Sequence, residues 1–68
     1  MTFEDVWREV KGLPDTALAQ VPRALKEDTK RKLSRMSSEE VAVIVTTAID
    51  EINHGSVTPL DTLIKQRL

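Results

Sequence analysis

The chain has 68 residues and a formal net charge of −1 at pH 7, and 31% of its residues are charged and 40% hydrophobic. A chain of this length holds a single domain, and this composition excludes extensive disorder. The absence of cysteine excludes a disulfide framework and a thiolate metal site. No apolar run reaches the roughly 18 residues of a membrane span, and the charged first residues do not resemble a signal peptide, so we expect a cytoplasmic protein.

The first predicted helix spans residues 3–11. Thr2 stands three residues before Asp5, a spacing typical of an N-terminal capping box. The apolar residues that follow recur at the spacing of one helix face, and they are Phe3, Val6, Trp7 and Val10. We expect Gly12 to end this helix in the left-handed conformation and Pro14 to prevent it from resuming.

Two prolines divide the next segment. Proline is favoured in the first turn of a helix and excluded from its interior, which predicts a short helix over 15–20, a bend before Pro22 and a second helix over 22–35. A shorter helix over 29–35 with Asp28 as its N-cap is the alternative. A thin apolar stripe among many charges places this region at the surface of the core, and the stripe comprises Leu25, Thr29, Leu33 and Met36.

The most specific local signal lies between Ser37 and Gly55. Ser37 and Glu40 have the spacing of a capping box, and Gly55 is expected to supply a left-handed C-terminal cap. The run of β-branched residues between them also fits a strand, but the apolar period favours a helix over 38–53. At about 100° per residue, seven apolar residues fall within an arc of roughly 160°, and they are Val41, Ala42, Ile44, Val45, Ala48, Ile49 and Ile52.

The last predicted helix spans 59–67. Its start repeats the order of a cap, a proline and an acid, which are Thr58, Pro59 and Asp61. The sequence therefore predicts one all-α domain over 1–68. This domain is a small compact bundle of four to five short helices packed around the central helix at 38–53.

His54 is the only histidine, and Asp50 and Glu51 lie one helical turn before it. An imidazole beside carboxylates suits a general base or a metal ligand, but no nucleophile and no complete ligand set accompany it. A histidine in the last helical turn also interacts favourably with the helix dipole and the free carbonyls. We interpret His54 as part of a helix cap, and we expect no enzymatic activity, no metal and no cofactor.

Six basic residues are concentrated over 23–35, namely Arg23, Lys26, Lys30, Arg31, Lys32 and Arg35. Such a cluster is able to follow a phosphate backbone. However, Glu27 and Asp28 interrupt it, they have the i,i+4 spacing to pair with Arg31 and Lys32, and no aromatic residue is interleaved. The alternative function is a small nucleic-acid-associated regulator, antitoxin-like or repressor-accessory, that uses this segment or the C-terminal helix.

The function that we prefer is a non-enzymatic helical protein-interaction domain that binds another protein or a second copy of itself, with no membrane partner. Near-zero net charge, amphipathic helices and the lack of a catalytic constellation favour it. Val43 points about 180° away from the apolar arc of its helix, whereas Trp7 also suits core packing. The candidate partner-binding residues are Val43, Trp7, Leu63 and Leu68.

Overall fold

The computed structural model describes residues 2–68, and these residues form five α-helices and no β-strand. In chain order the helices are α1 (Phe3–Arg8), α2 (Asp15–Ala24), α3 (Glu27–Ser34), α4 (Ser38–Asn53) and α5 (Leu60–Lys65). The prediction of an all-α bundle of short helices is confirmed.

Helix α4 begins and ends where the local sequence signals place it. The Ser37 hydroxyl accepts a hydrogen bond from the backbone N–H of Glu40 at 3.2 Å. At the other end Gly55 has a φ of +99°, and its N–H donates to the carbonyl of Ile52 at 3.1 Å. The next N–H donates to the carbonyl of Glu51 at 3.0 Å. These two bonds form a Schellman motif, so residues in or beside α4 determine both of its ends.

Helix α1 is three residues shorter than predicted. The capping box forms in both directions, since Asp5 N–H donates to Thr2 Oγ1 at 3.4 Å and Thr2 N–H donates to Asp5 Oδ2 at 3.2 Å. The N–H groups of Glu9 and Val10 then donate to carbonyls only three residues back, each at 3.1 Å. This tightening ends the α-helical pattern early. Gly12, with a φ of +88°, therefore turns the chain in the following loop instead of capping the helix.

The prediction of a bend before Pro22 is wrong, because α2 continues through this residue to Ala24. A proline inside a helix lacks the N–H that would bond to the carbonyl four residues earlier, which here belongs to Leu18. The indole Nε1–H of Trp7 donates to this carbonyl at 3.0 Å. A contact from α1 thus satisfies the acceptor that the proline leaves free.

Helix α3 begins at Glu27, so the predicted helix over 22–35 is split, and the alternative start at Asp28 is also not observed. Lys26 is the N-cap residue, and its own side chain makes no capping bond. Instead its backbone N–H donates to Asp61 Oδ1 of α5 at 2.9 Å. The carboxylate of a distant helix therefore occupies the N-terminus of α3, where the helix dipole favours negative charge.

Helices α3 and α4 each pack against both α1 and α5, and α2 packs against α5. The buried hydrophobic residues form one core between the helices. The predicted stripe is buried at Leu25, Thr29 and Leu33, although Leu25 lies between α2 and α3 and not inside a helix. The largest fully enclosed side chains of the core are Leu33, Ile64, Val41, Val45 and Thr29.

Helix α5 is also shorter than predicted. Pro59 occupies the N-cap position in an extended conformation, so the predicted cap at Thr58 is wrong and no side-chain oxygen caps this helix. After Lys65 the N–H of Arg67 donates to a carbonyl three residues back at 3.0 Å, which tightens the end of the helix.

Candidate functional site

A shallow groove lies between α2, the C-terminal half of α4 and the start of α5, and we call it the α2–α4 groove. Its volume is about 410 Å³. None of the residues that line it carries a charge, although 31% of the residues in the chain are charged. Its apolar side chains are Ala17, Val21, Ala24, Ile49, Ile52 and Leu60. An uncharged recess of this kind can accept an apolar group but offers no catalytic or ionic chemistry.

Ile52 is the groove residue whose burial was mispredicted from the sequence. The helical period assigns Ile52 to the buried arc of α4, yet 38% of the surface of this residue is exposed. It lies in the last turn of α4, where neighbouring helices leave that face open. The apolar period predicts the direction in which a side chain points from its helix. Whether another helix covers that side chain depends here on the path of α2. This path was mispredicted from the sequence at Pro22.

Two of the four predicted partner-binding residues lie at the surface. Val43 is 66% exposed on the outer side of α4, and Leu68 is exposed at the end of the chain. Beside Val43 is a depression of about 400 Å³ that Met36 and Ile44 also line, together with two acidic residues. Val43 is therefore accessible on the side of α4 opposite its apolar arc.

The other two predicted residues, Leu63 and Trp7, lie in the core or pack against it. Leu63 is buried in the core, so its side chain is not available to a partner. The Trp7 ring stacks on Phe3 with 5.6 Å between the ring centroids, and its Nε1–H donates to Leu18. Trp7 thus packs against the core, the second of the two roles that the sequence allowed.

The six basic residues over 23–35 differ in their surroundings. Lys30 Nζ lies 5.9 Å above the centre of the Phe3 ring and 4.0 Å from Glu27. Arg31 pairs with Asp28 at 3.1 Å. These pairs have i,i+3 spacing, so the predicted i,i+4 partners are wrong. The four remaining basic side chains are exposed, and they are Arg23, Lys26, Lys32 and Arg35.

Two basic side chains in or just after α5 are paired with acidic ones, so less positive charge is unpaired there than the sequence indicates. Lys65 lies 3.7 Å from Asp61, and Arg67 forms an ion pair with Glu51 of α4. The first turn of α5 is turned toward α3, since Asp61 bonds to Lys26. A recognition helix reads bases with its N-terminal residues, and here that end of the helix contacts the rest of the domain.

His54 is exposed at the C-cap position of α4. Its Nδ1 lies 2.7 Å from the carbonyl oxygen of Asp50 and 3.5 Å from a carboxylate oxygen of the same residue. An imidazole that donates from Nδ1 adds a second hydrogen bond to this carbonyl, which already accepts the His54 backbone N–H at 3.0 Å. The geometry therefore fits the capping interpretation of His54.

Asp61 is the one charged residue that the core buries among the residues described, with 7% of its surface exposed. Burial raises the pKa of its carboxyl group. The hydrogen bond from the Lys26 amide opposes this effect, as do the Thr29 hydroxyl and the charges of Lys65 and Lys26, and together they hold the pKa below its usual value. The Thr29 hydroxyl favours the charged form of Asp61, although no partner lies at the distance and angle of a regular hydrogen bond to Thr29 Oγ1. No local motif predicts this role, since Asp61 has the position of an ordinary first-turn acid.

Asp5 has a lowered pKa for a local reason. The backbone N–H and then the hydroxyl of Thr2 donate to its carboxylate and stabilise the charged form. This carboxylate is exposed on α1 and completes the capping box. It is part of a helix cap and not of a site.

In comparisons with known proteins, no family model, no curated protein and no solved structure matches the chain. Over residues 2–68, no three histidine or carboxylate side chains converge as a metal-binding group. Every helix in this described part of the chain is too short or too polar to cross a bilayer. The case for a function therefore depends on the surface of the domain itself.

Proposed function

We propose that the chain is a non-enzymatic protein-interaction domain whose α2–α4 groove binds the apolar side of a helix from a partner protein. The observation that carries this proposal is the uncharged apolar lining of the groove, with Ile52 exposed at its edge. Amphipathic helices bind such grooves through apolar side chains spaced three or four residues apart. Hydrophobic residues that are contiguous at a surface, unlike single exposed ones, mark interaction sites.

The shape of the groove supports a helix as the occupant. Two helices, α2 and α4, form its walls, and the small side chains of Ala17 and Ala24 leave room between them. A third helix placed there extends the packing that the bundle already uses. Because no charge lines the groove, the expected affinity depends on buried apolar area and changes little with salt.

Site-specific photo-crosslinking tests this proposal in the cells that express the chain. A photoreactive residue replaces Gln20, which lines the groove, or Val57, which is 97% exposed in the loop between α4 and α5 and lies outside it. We expect a discrete crosslinked partner from position 20 and none from position 57. The same crosslink should disappear with Ile52→Asp and persist with Val57→Asp, a matched change of an exposed aliphatic residue.

A crosslink that survives Ile52→Asp, or equal crosslinking from both positions, contradicts the proposal. Circular dichroism and urea unfolding of both variants establish that they are folded. Ile52→Ala serves as a second variant, since it removes contact area without adding a charge. It should weaken the interaction about tenfold, equal to about 1.4 kcal/mol.

The alternative proposal is a nucleic-acid-associated regulator of the antitoxin or repressor-accessory kind. The four basic side chains that are exposed and form no ion pair within residues 2–68 support it, and they are Arg23, Lys26, Lys32 and Arg35. Affinity that depends on phosphate contacts falls steeply as salt is added. Retention of the purified chain on DNA or RNA columns, measured across a salt gradient, tests this alternative directly.

A further inference from the structure

The near-neutral net charge of the chain conceals two oppositely charged segments. Residues 23–35 contain six basic and two acidic side chains. Residues 38–53, which form α4, contain four acidic side chains and no basic one. The acidic side chains of α4 are Glu39, Glu40, Asp50 and Glu51. Charges are therefore segregated between α3 with its flanking residues and α4.

Helices α3 and α4 pack mainly against other helices of the domain and not against each other. Helices α3 and α4 each pack against α1 and α5, so the latter two lie between them. The buried side of α3 carries Thr29 and Leu33, and the buried side of α4 carries Val41 and Val45. Their outer faces are consequently separate surfaces of the domain.

Most of the charges on these outer faces are free to meet another molecule. Lys32 and Arg35 are exposed and form no ion pair within residues 2–68, and the same holds for Glu39 and Glu40. Between the acids of α4 lies Val43, with its adjoining depression. We call these surfaces the basic α3 face (Lys32, Arg35 and their neighbours) and the acidic α4 face (Glu39, Glu40, Val43 and Asp50).

We propose that a second copy of this chain docks its basic α3 face on the acidic α4 face, head to tail. A symmetric contact between two α4 faces would oppose carboxylates to carboxylates, and like charges disfavour such an interface. The head-to-tail contact pairs opposite charges instead, and the aliphatic stems of lysine and arginine cover Val43. A helical partner of another protein needs the same chemistry, but the complementary face is already present on this chain.

A head-to-tail contact has two consequences. It leaves one unpaired face at each end, so association continues beyond a dimer as the concentration rises. Because exposed ion pairs contribute little each and are screened by salt, the association is weak and salt-sensitive. None of the residues of the α2–α4 groove takes part, so this inference stands or falls independently of the proposed function.

Sedimentation equilibrium on the purified chain over a concentration series tests the inference. The average mass should rise above the 7.6 kDa of the monomer in about 0.01 M salt and return to it in about 1 M salt, where the screening length falls from about 30 Å to about 3 Å. Two charge-reversed variants, Lys32→Glu/Arg35→Glu and Glu39→Lys/Asp50→Lys, should each associate at least about tenfold more weakly.

The decisive measurement is the equimolar mixture of the two variants. Each variant has one reversed face, so the basic face of one meets the acidic face of the other, and association should recover when they are mixed. Asp15→Lys, an exposed acid on α2 outside both faces, should leave association unchanged. Thermal unfolding of each variant verifies folding, and recovery on mixing itself requires folded chains.

Three results would overturn the inference. They are a wild-type chain that stays monomeric at low salt, a mixture that fails to recover, and an association that salt does not weaken. If the wild type is monomeric but is retained on DNA in a salt-dependent way, the basic α3 face serves nucleic acid instead.

Discussion

Helix α4 and the segment formed by α2 and α3 show two ways in which a helix boundary is determined in this domain. The ends of α4 depend on bonds between residues at most five positions apart, at the Ser37 cap and at the Gly55 turn. The α2–α3 segment depends on bonds that span 11 and 35 residues, from Trp7 to Leu18 and from Lys26 to Asp61. Local sequence therefore predicts α4 correctly and mispredicts both α2 and α3.

The stability of the domain should be most sensitive to the loss of contacts between distant residues. A cap made by a neighbouring residue can form as soon as its helix forms. A cap that comes from another helix requires the bundle to be assembled first, so its loss affects both helices. We therefore expect the long-range contacts to contribute more to the free energy of unfolding than the local ones.

Asp61→Ala should have the largest effect on stability. It removes a buried carboxylate, leaves the Lys26 amide without its acceptor and removes negative charge from the N-terminus of α3. Hydrogen bonds to charged groups contribute about 1.5–3 kcal/mol, so we expect the free energy of unfolding to fall by about 2–3 kcal/mol in urea titrations. Faster amide hydrogen exchange at Lys26 should accompany the loss.

Two further variants separate the contributions. Asp61→Asn keeps an acceptor for Lys26 but removes the charge, so it should cost less than Asp61→Ala. Asp15→Ala removes an exposed first-turn acid of α2 and should change stability by less than about 0.5 kcal/mol. Equal costs for Asp61→Ala and Asp15→Ala would mean that the contact between α5 and α3 is not stabilising.

Trp7→Phe should have the next largest effect, about 1–2 kcal/mol, because the Leu18 carbonyl loses its donor. Pro22→Ala restores a backbone N–H that can bond to the same carbonyl. The cost of Trp7→Phe should therefore be smaller in the Pro22→Ala background, and a double-mutant cycle measured by urea unfolding should give a coupling of at least about 0.5 kcal/mol. An identical cost in both backgrounds would show that Trp7 acts through packing alone.

Ser37→Ala tests the local side of the comparison. It removes the side-chain oxygen that accepts from Glu40, and loss of such a cap costs about 1 kcal/mol. The increase in hydrogen exchange should be confined to the first turn of α4. Ser38→Ala, one residue into the helix, should have little effect, and comparable losses from the two substitutions would disprove the capping role.

The pH dependence of Asp61 is the smallest of the expected effects. Its pKa is lowered in the folded chain, so its contribution is fully present above about pH 3.9, the usual value for an unfolded aspartate, and is lost as the pH falls through the lower folded value. The stability difference between the wild type and Asp61→Asn should therefore shrink as the pH falls below about 4. Asp5, whose pKa is also lowered, is present in both chains and cancels in this difference. A difference that stays constant down to about pH 2 would contradict the assignment.

The candidate surfaces were predictable to different degrees. The direction of Val43, opposite the apolar arc of α4, was predictable, because the helical period depends only on the residues of that helix. Its exposure was not, since it depends on what packs against that side of α4. The burial of Leu63 and the exposure of Ile52 were not predictable, since both depend on where α2, α3 and α5 lie. The α2–α4 groove is therefore a feature of packing, and no motif in the chain announces it.

The sequence by itself determined the all-α class, the extent of α4 and its caps, because periodicity and capping act over a few residues. Only the tertiary structure decided that α2 continues through Pro22 and that α3 begins at Glu27. At Pro22 a backbone carbonyl of α2 lacks its local donor. At the start of α3 the Lys26 side chain makes no capping bond. Once the core has formed, Trp7 donates to the carbonyl that Pro22 leaves free, and Asp61 accepts from the Lys26 N–H. A buried backbone N–H or C=O group almost always has a hydrogen-bond partner, but its neighbours in the sequence do not identify that partner.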